Sequence, residues 1–126
     1  MTPDTAAFTQ EVQAAFTGWT DRWNAGDLEG YLTAYADSDQ TRYCAGSKVI
    51  RGKENIAAHY RERGTSGHLS VVHFEAEAMG DSFNDGLVFG QFELVVEDGT
   101  RHTGAFTVHV RKIKGLWRIL SDHSAS

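Results

Sequence analysis

The chain has 126 residues, 40 % of them hydrophobic and only one proline, which excludes a disordered or proline-rich linker and predicts one folded domain over residues 1–126. Twelve Lys and Arg against seventeen Asp and Glu leave a net charge of −5, and no basic block exceeds Arg111-Lys112-Ile113-Lys114, so no nucleic-acid partner is expected. No apolar run approaches the roughly 18 residues of a membrane span, the first twenty residues lack the basic and apolar segments of a secretory signal, and the lone Cys44 closes no intrachain disulfide, so the expectation is a cytoplasmic protein.

Apolar residues at Phe8, Val12, Phe16, Trp19 and Trp23 recur every three or four positions, which predicts a helix from about Thr5 to Asn24. Gly26 ends it, and Asp27 is placed to cap a short second helix carrying Leu28, Tyr31, Leu32 and Tyr35. Asp37 to Gly46 reads as turn-rich, with Val49-Ile50 a brief strand before Gly52. Helical spacing resumes over Lys53–Arg63, with Ile56, His59, Tyr60 and Arg63 on one face, and Gly64-Thr65-Ser66-Gly67 stops it.

From His68 the period changes to two: Val72, Phe74, Ala76 and Ala78 alternate with His73, Glu75 and Glu77. Strands follow over Leu87–Val96, Arg101–Lys112 and Leu116–His123, with hairpin turns at Asp98-Gly99 and Lys114-Gly115. Three helices ahead of a strongly hydrophobic antiparallel sheet define an α+β fold. If the sheet curls around the helices, a funnel-shaped cavity is left between them. Apolar residues on both faces of Leu87–Leu94 imply that the outer face is covered, and a homodimer packed through the sheet is the simplest cover.

Several side chains are candidates for chemistry. Trp19 and Trp23 lie four apart on one helix face, and Tyr31, Tyr35, Tyr43 and Tyr60 come from elements that would line the funnel, which suits a small apolar or aromatic ligand as well as plain core packing. His59 could act as a base near neutral pH or be a buried structural imidazole. A two-residue turn at Lys114-Gly115 puts Phe106 opposite His123 and His109 opposite Leu120. His123 then shares the apolar face with Phe106, Val108, Val110, Trp117 and Ile119, whereas His109 and Asp122 are diagonal neighbours able to form an orienting pair. A slip of one residue reverses these faces. Arg42, Arg101 and Arg111 could each hold a ligand carboxylate. The six histidines form no His-x-His or His-Glu-x-x-His arrangement, so no metal or other cofactor is expected.

The whole chain resembles the nuclear transport factor 2-like, or SnoaL-like, superfamily. The likeness is carried by Trp23-Asn24-Ala25-Gly26-Asp27-Leu28, Tyr35-Ala36, Gly52-Lys53-Glu54-Asn55-Ile56 and Gly104–Ser124. It is nearest to the small bacterial branch of unknown function related to ketosteroid isomerases and to the calcium/calmodulin-dependent kinase association domain. This resemblance implies a cone-shaped, cystatin-like roll of three N-terminal helices on a curved antiparallel sheet. It also raises the expectation that His123, in a histidine-rich ending, has a fixed role. Aligned on Asn24–Asp27, Trp19 stands at the isomerases' oxyanion-donating tyrosine and Tyr43, or Cys44 after a one-residue shift, at their carboxylate base. Neither position carries a carboxylate.

The expected function is therefore binding of a small, apolar or carboxylate-bearing molecule in an aromatic cone without established catalysis. The rival is a cofactor-independent isomerase or lyase in which His59 or His123 moves the proton, and a third reading is a dimerising interaction module.

Overall fold

A computed structural model describes residues 3–64 and 66–125. Met1 and Thr2, at the start of the segment read for a secretory signal, and Thr65, in the predicted stop of the third helix, lie outside the described residues. Helix α1 spans Pro3–Asn24 and buries the predicted stripe, with Phe8, Val12, Trp19 and Trp23 in the core. Its last residue is fastened to the sheet by a side-chain amide: Asn24 Nδ2 donates to the Leu69 carbonyl at 2.9 Å, and the Leu69 N–H donates to Asn24 Oδ1 at 2.7 Å. Asp27 caps α2, Leu28–Leu32, by accepting the Gly30 N–H at 2.9 Å.

The second helix is shorter than its apolar stripe suggests. After Leu32 the chain straightens against the sheet, where the Ile119 N–H donates to the Ala34 carbonyl at 2.7 Å and the Ala36 N–H to the Ile119 carbonyl at 2.8 Å. These bonds take Tyr35 out of a helical turn and pin it, 1 % exposed, beside the last strand.

Two short strands then precede the third helix: β1, Arg42–Ala45, and β2, Lys48–Arg51. Helix α3 follows at Lys53–Arg63, and Ile56, Ala57 and Tyr60 are its buried face. The long strands are β3 His68–Met79, β4 Asp85–Val95, β5 Arg101–Ile113 and β6 Leu116–Ala125. The sheet order is β2-β1-β6-β5-β4-β3, antiparallel throughout except that β1 runs parallel to β6.

The architecture is thus α+β, with a curved, mixed sheet of six strands. The expectation of three helices followed by an antiparallel sheet is corrected in two respects. The pair β1–β2 lies between α2 and α3, and β1 joins the sheet by a parallel pairing with β6, leaving β2 at the edge. The polar segment read as turn-rich conceals a strand because Thr41 and Tyr43 alternate inward with outward Arg42.

Two bulges bend the long strands, as an extra residue in one strand of a pair does. In β3 the register shifts between Val71 and His73, leaving Val72 58 % exposed. Close by, Gly90, paired with Phe74, has no space for a Cβ against the His73 backbone carbonyl, so only glycine lets β3 and β4 stay paired there. The other bulge is in β6. The Lys114-Gly115 turn pairs Ile113 with Leu116 as predicted, and the register holds as far as Val110–Ile119, but His109 then pairs with Ser121 and leaves Leu120 as the extra residue.

Candidate functional site

The bulge at Leu120 decides which end-of-chain side chain faces inward. Beyond it Val108 lies opposite Asp122, Thr107 opposite His123 and Phe106 opposite Ser124. Asp122 is therefore buried, 7 % exposed, on the face of Phe106 and Val108, whereas His123 is exposed on the outer face. This corrects the unbulged hairpin reading, which put His123 on the apolar face and Asp122 outside. It also corrects the expected His109–Asp122 pair. His109 Nε2 lies 2.9 Å from Asp85 Oδ1, and Arg111 Nε donates to the same oxygen at 2.8 Å.

Between the helices and the inner face of the sheet is a hollow of about 530 Å³, within the range of small-molecule sites. Trp19 and Trp23 from α1, Tyr31 from α2, Tyr60 from α3 and Tyr43 from β1 form its aromatic wall. Phe106 and Val108 of β5, with Ile119, Asp122 and Ser124 of β6, close the opposite side. Arg63, Ser66 and His102, all exposed residues, also border it. Among the candidates read from sequence, Trp19, Trp23, Tyr43, Tyr60 and Asp122 come together at this hollow. Tyr35 lies behind its wall, in contact with Asp122 and Tyr60.

Other candidates do not border the hollow. Arg42 is exposed on the outer face beside Ser121 and Arg51, Arg101 pairs with Glu93 at 3.0 Å, and His109 and Arg111 hold Asp85. His59 stands edge-on against Tyr43 at 5.5 Å, one ring removed from the space. Its Nε2, like Trp23 Nε1, is buried without a hydrogen-bond partner among the described residues. Burial, then the neighbouring charges of Arg63 and Lys48, holds the His59 pKa below the usual imidazole value.

Asp122 is the centre of a hydrogen-bonded chain. The Tyr35 hydroxyl donates to Oδ2 at 2.8 Å and the Ser124 hydroxyl to Oδ1 at 2.9 Å. Tyr35 has one hydroxyl hydrogen, already committed to Asp122, so in its 3.2 Å contact with Tyr60 the Tyr60 hydroxyl is the donor. Burial raises the Asp122 pKa above the ordinary carboxylate value, while the two hydroxyl donors and the charge of His123 oppose the rise. The same burial, reinforced by the Asp122 charge, pushes Tyr31 up to about 12. Tyr35 and Tyr60 lie well above the usual phenol value, chiefly through burial. All three are fixed hydroxyl groups at physiological pH.

Residues that pattern alone did not single out are Phe16, Phe106, Arg63, Ser66 and His102. Arg63 was legible as part of the third helix face, where its last-turn position carries it past the buried Tyr60 to the rim. Phe106 was assigned to the apolar face of its strand, but nothing in its spacing distinguished cavity wall from core. Among the described residues no group of three His, Cys, Asp or Glu side chains comes together for a metal ion.

No protein-family model matches the sequence, and neither does any curated protein. Solved structures do match. The chain superimposes on a nuclear transport factor 2-like protein of unknown function from Shewanella oneidensis with a TM-score of 0.85 and 27% identity, covering 94% of this chain and 98% of that one. A nuclear transport factor 2-like protein of unknown function from Pseudomonas putida gives 0.81 at 18% identity, over 97% of this chain and 88% of that one. A protein described as of the calcium/calmodulin-dependent protein kinase II association-domain type, from Xanthomonas campestris, gives 0.73 at 19% identity, over 92% and 85%. The fold is therefore the nuclear transport factor 2-like, cystatin-like one anticipated from the sequence. No helix among the described residues is long and apolar enough to cross a membrane.

Proposed function

We propose that residues 1–126 act as a single domain that binds a small, largely apolar molecule in the hollow between Trp19, Tyr43, Tyr60 and the last strand. The observation that carries this reading is a ligand-sized space walled by aromatic side chains around one buried carboxyl group. A wall of rings with few polar groups supplies apolar contact area, and the carboxyl group orients what enters. A carboxylate on the ligand would find Arg63 at the border, rather than Arg42, Arg101 or Arg111. The test is thermal unfolding of the protein against a panel of small metabolites, with Trp19→Leu as the control. The reading expects at least one compound to raise the melting temperature of the parent and not of the variant. A panel without effect, together with unchanged tryptophan fluorescence, counts against it.

A second reading is proton-transfer catalysis without a cofactor, and Asp122 favours it. On sequence the lack of a placed carboxylate favours binding over catalysis, and β6 supplies a carboxyl group at the hollow, bonded to the Tyr35 hydroxyl. In this version Asp122, not His59 or His123, exchanges the proton, because it alone of the three borders the space. The protein would also pair as a homodimer through the outer sheet face, where Leu87 and Phe89 are half-buried and Val72 stands out. Sedimentation of the parent against Phe89→Glu tests this, with loss of the dimer expected and an unchanged species contradicting it.

A further inference from the structure

We propose that the ligand is an organic cation, a protonated or quaternary amine on an apolar body, with Asp122 as its counter-charge. The inference rests on the binding reading above and specifies the chemistry of that same hollow.

Among the described residues Asp122 is the one acidic side chain bordering the space, and no Lys or Arg of them forms an ion pair with it. A buried carboxylate without a counter-ion is costly. The fold supplies two hydroxyl donors, one to each oxygen. A carboxylate has about four acceptor positions, and the described residues fill two of them. The nearby tyrosine hydroxyls do not remove the need: Tyr60 donates to Tyr35, Tyr35 donates to Asp122, and neither carries charge. What the site lacks is a positive charge.

The walls suit that charge. Trp19, Trp23, Tyr31, Tyr43 and Tyr60 surround the hollow, and indole and phenol faces attract ammonium groups, more strongly where water is excluded. An anion would meet Asp122 across the same small space. Arg63 and His102 oppose a cation at the border, but both are exposed to solvent and screened, whereas Asp122 is not.

The experiment titrates the full chain by calorimetry with three probes of similar shape: phenethylamine, 2-phenylethanol and 3-phenylpropionate. Phenethylamine is expected to bind at least ten-fold more tightly than the alcohol, and 3-phenylpropionate most weakly. Asp122→Asn should abolish the preference for the amine while leaving alcohol binding in place. Trp19→Leu, which keeps the carboxyl group, should weaken the amine several-fold more than the alcohol.

Amine affinity should also rise as pH climbs from the ordinary aspartate range through the raised pKa of Asp122. The charged or titratable groups around Asp122 are Tyr31 of α2, Tyr35 after it, Tyr60 and Arg63 of α3, Tyr43 of β1 and His102 of β5, with His123 next to it in β6 on the outer face. Burial holds the Tyr31, Tyr35, Tyr43 and Tyr60 hydroxyls above the ordinary phenol value, so they keep their protons there. Asp122→Asn retains every other group around the hollow and so isolates the aspartate's share. Equal or tighter binding of the alcohol or the acid overturns the cation while leaving a binding hollow. Retention of the amine preference in Asp122→Asn does the same. Failure of all three probes to bind overturns both readings.

Discussion

Helix α1 lies over two ends of one interior, and they are built differently. Near its start Phe8 and Val12 are 3 % and 0 % exposed, and Phe8 packs edge-on against Trp117 with centroids 5.4 Å apart and against Phe83 at 6.4 Å. Val88 and Val110, both fully buried, complete a solid cluster. Near its end Trp19 and Trp23 face a space instead, and the polar chain Tyr60–Tyr35–Asp122 replaces aliphatic packing. One helical stripe thus serves both as filler and as wall, and large aromatic residues alone do not separate the two uses. What separates them is the far side of the rings: at the closed end rings and valines fill the interior, whereas Trp19 and Trp23, packed on Phe16, Tyr31 and Tyr60, border a space that Asp122 also borders.

That contrast can be broken by mutation. Phe8→Ala should cost about 3–5 kcal/mol in urea unfolding, since a fully packed aromatic is removed. Gly86→Ala should cost about 1–3 kcal/mol, because a Cβ there runs into the Phe8 ring. Trp19→Ala, although it removes more atoms than Phe8→Ala, should cost only about 1–2 kcal/mol, because one side of the indole lacks protein contacts to lose. A Trp19 cost equal to that of Phe8 would mean that the two ends are packed alike.

Smaller effects sharpen the polar side of the comparison. Asp122 keeps its proton to higher pH in the folded protein than in the unfolded chain, so stability should fall as pH rises from the ordinary aspartate range through the raised folded pKa. Asp122→Asn should remove that fall and raise the melting temperature at pH 7 by a few degrees. At the closed end, Glu11 Oε1 accepts from Lys112 Nζ at 2.9 Å and from Trp117 Nε1 at 3.2 Å, and these bonds hold its pKa below the usual value. This contribution is present above the ordinary glutamate range and lost as pH falls through the lowered pKa. Glu11 is half exposed, so Glu11→Gln at pH 7 should cost less than about 1 kcal/mol.

Much of the fold was legible. The α1 stripe, the period-two strands and the Lys114-Gly115 turn follow from spacing and turn chemistry, and the α+β class follows from them. Two features were not. The strand Arg42–Ala45 has a polar composition because only its alternate residues turn inward, and its pairing with β6 joins residues about eighty apart in the chain. The bulge at Leu120 has no local signature, since Leu is as acceptable in a regular strand as in a bulged one. Yet this single extra residue exchanges Asp122 and His123 between the faces, and so decides which of them the hollow receives. The tyrosines were legible as a group because they come from separate elements bordering one space, whereas Arg63 and His102 depend on where α3 ends and β5 begins.

The most direct test is a high-resolution crystallographic map of the protein purified from its own cell. A ligand-binding hollow predicts density for a bound molecule or a cluster of ordered waters bounded by Trp19, Tyr43, Tyr60 and Ile119, with one atom within hydrogen-bond reach of Asp122. Side chains packed continuously through that volume, leaving no room beside the Asp122 carboxyl group, would contradict it.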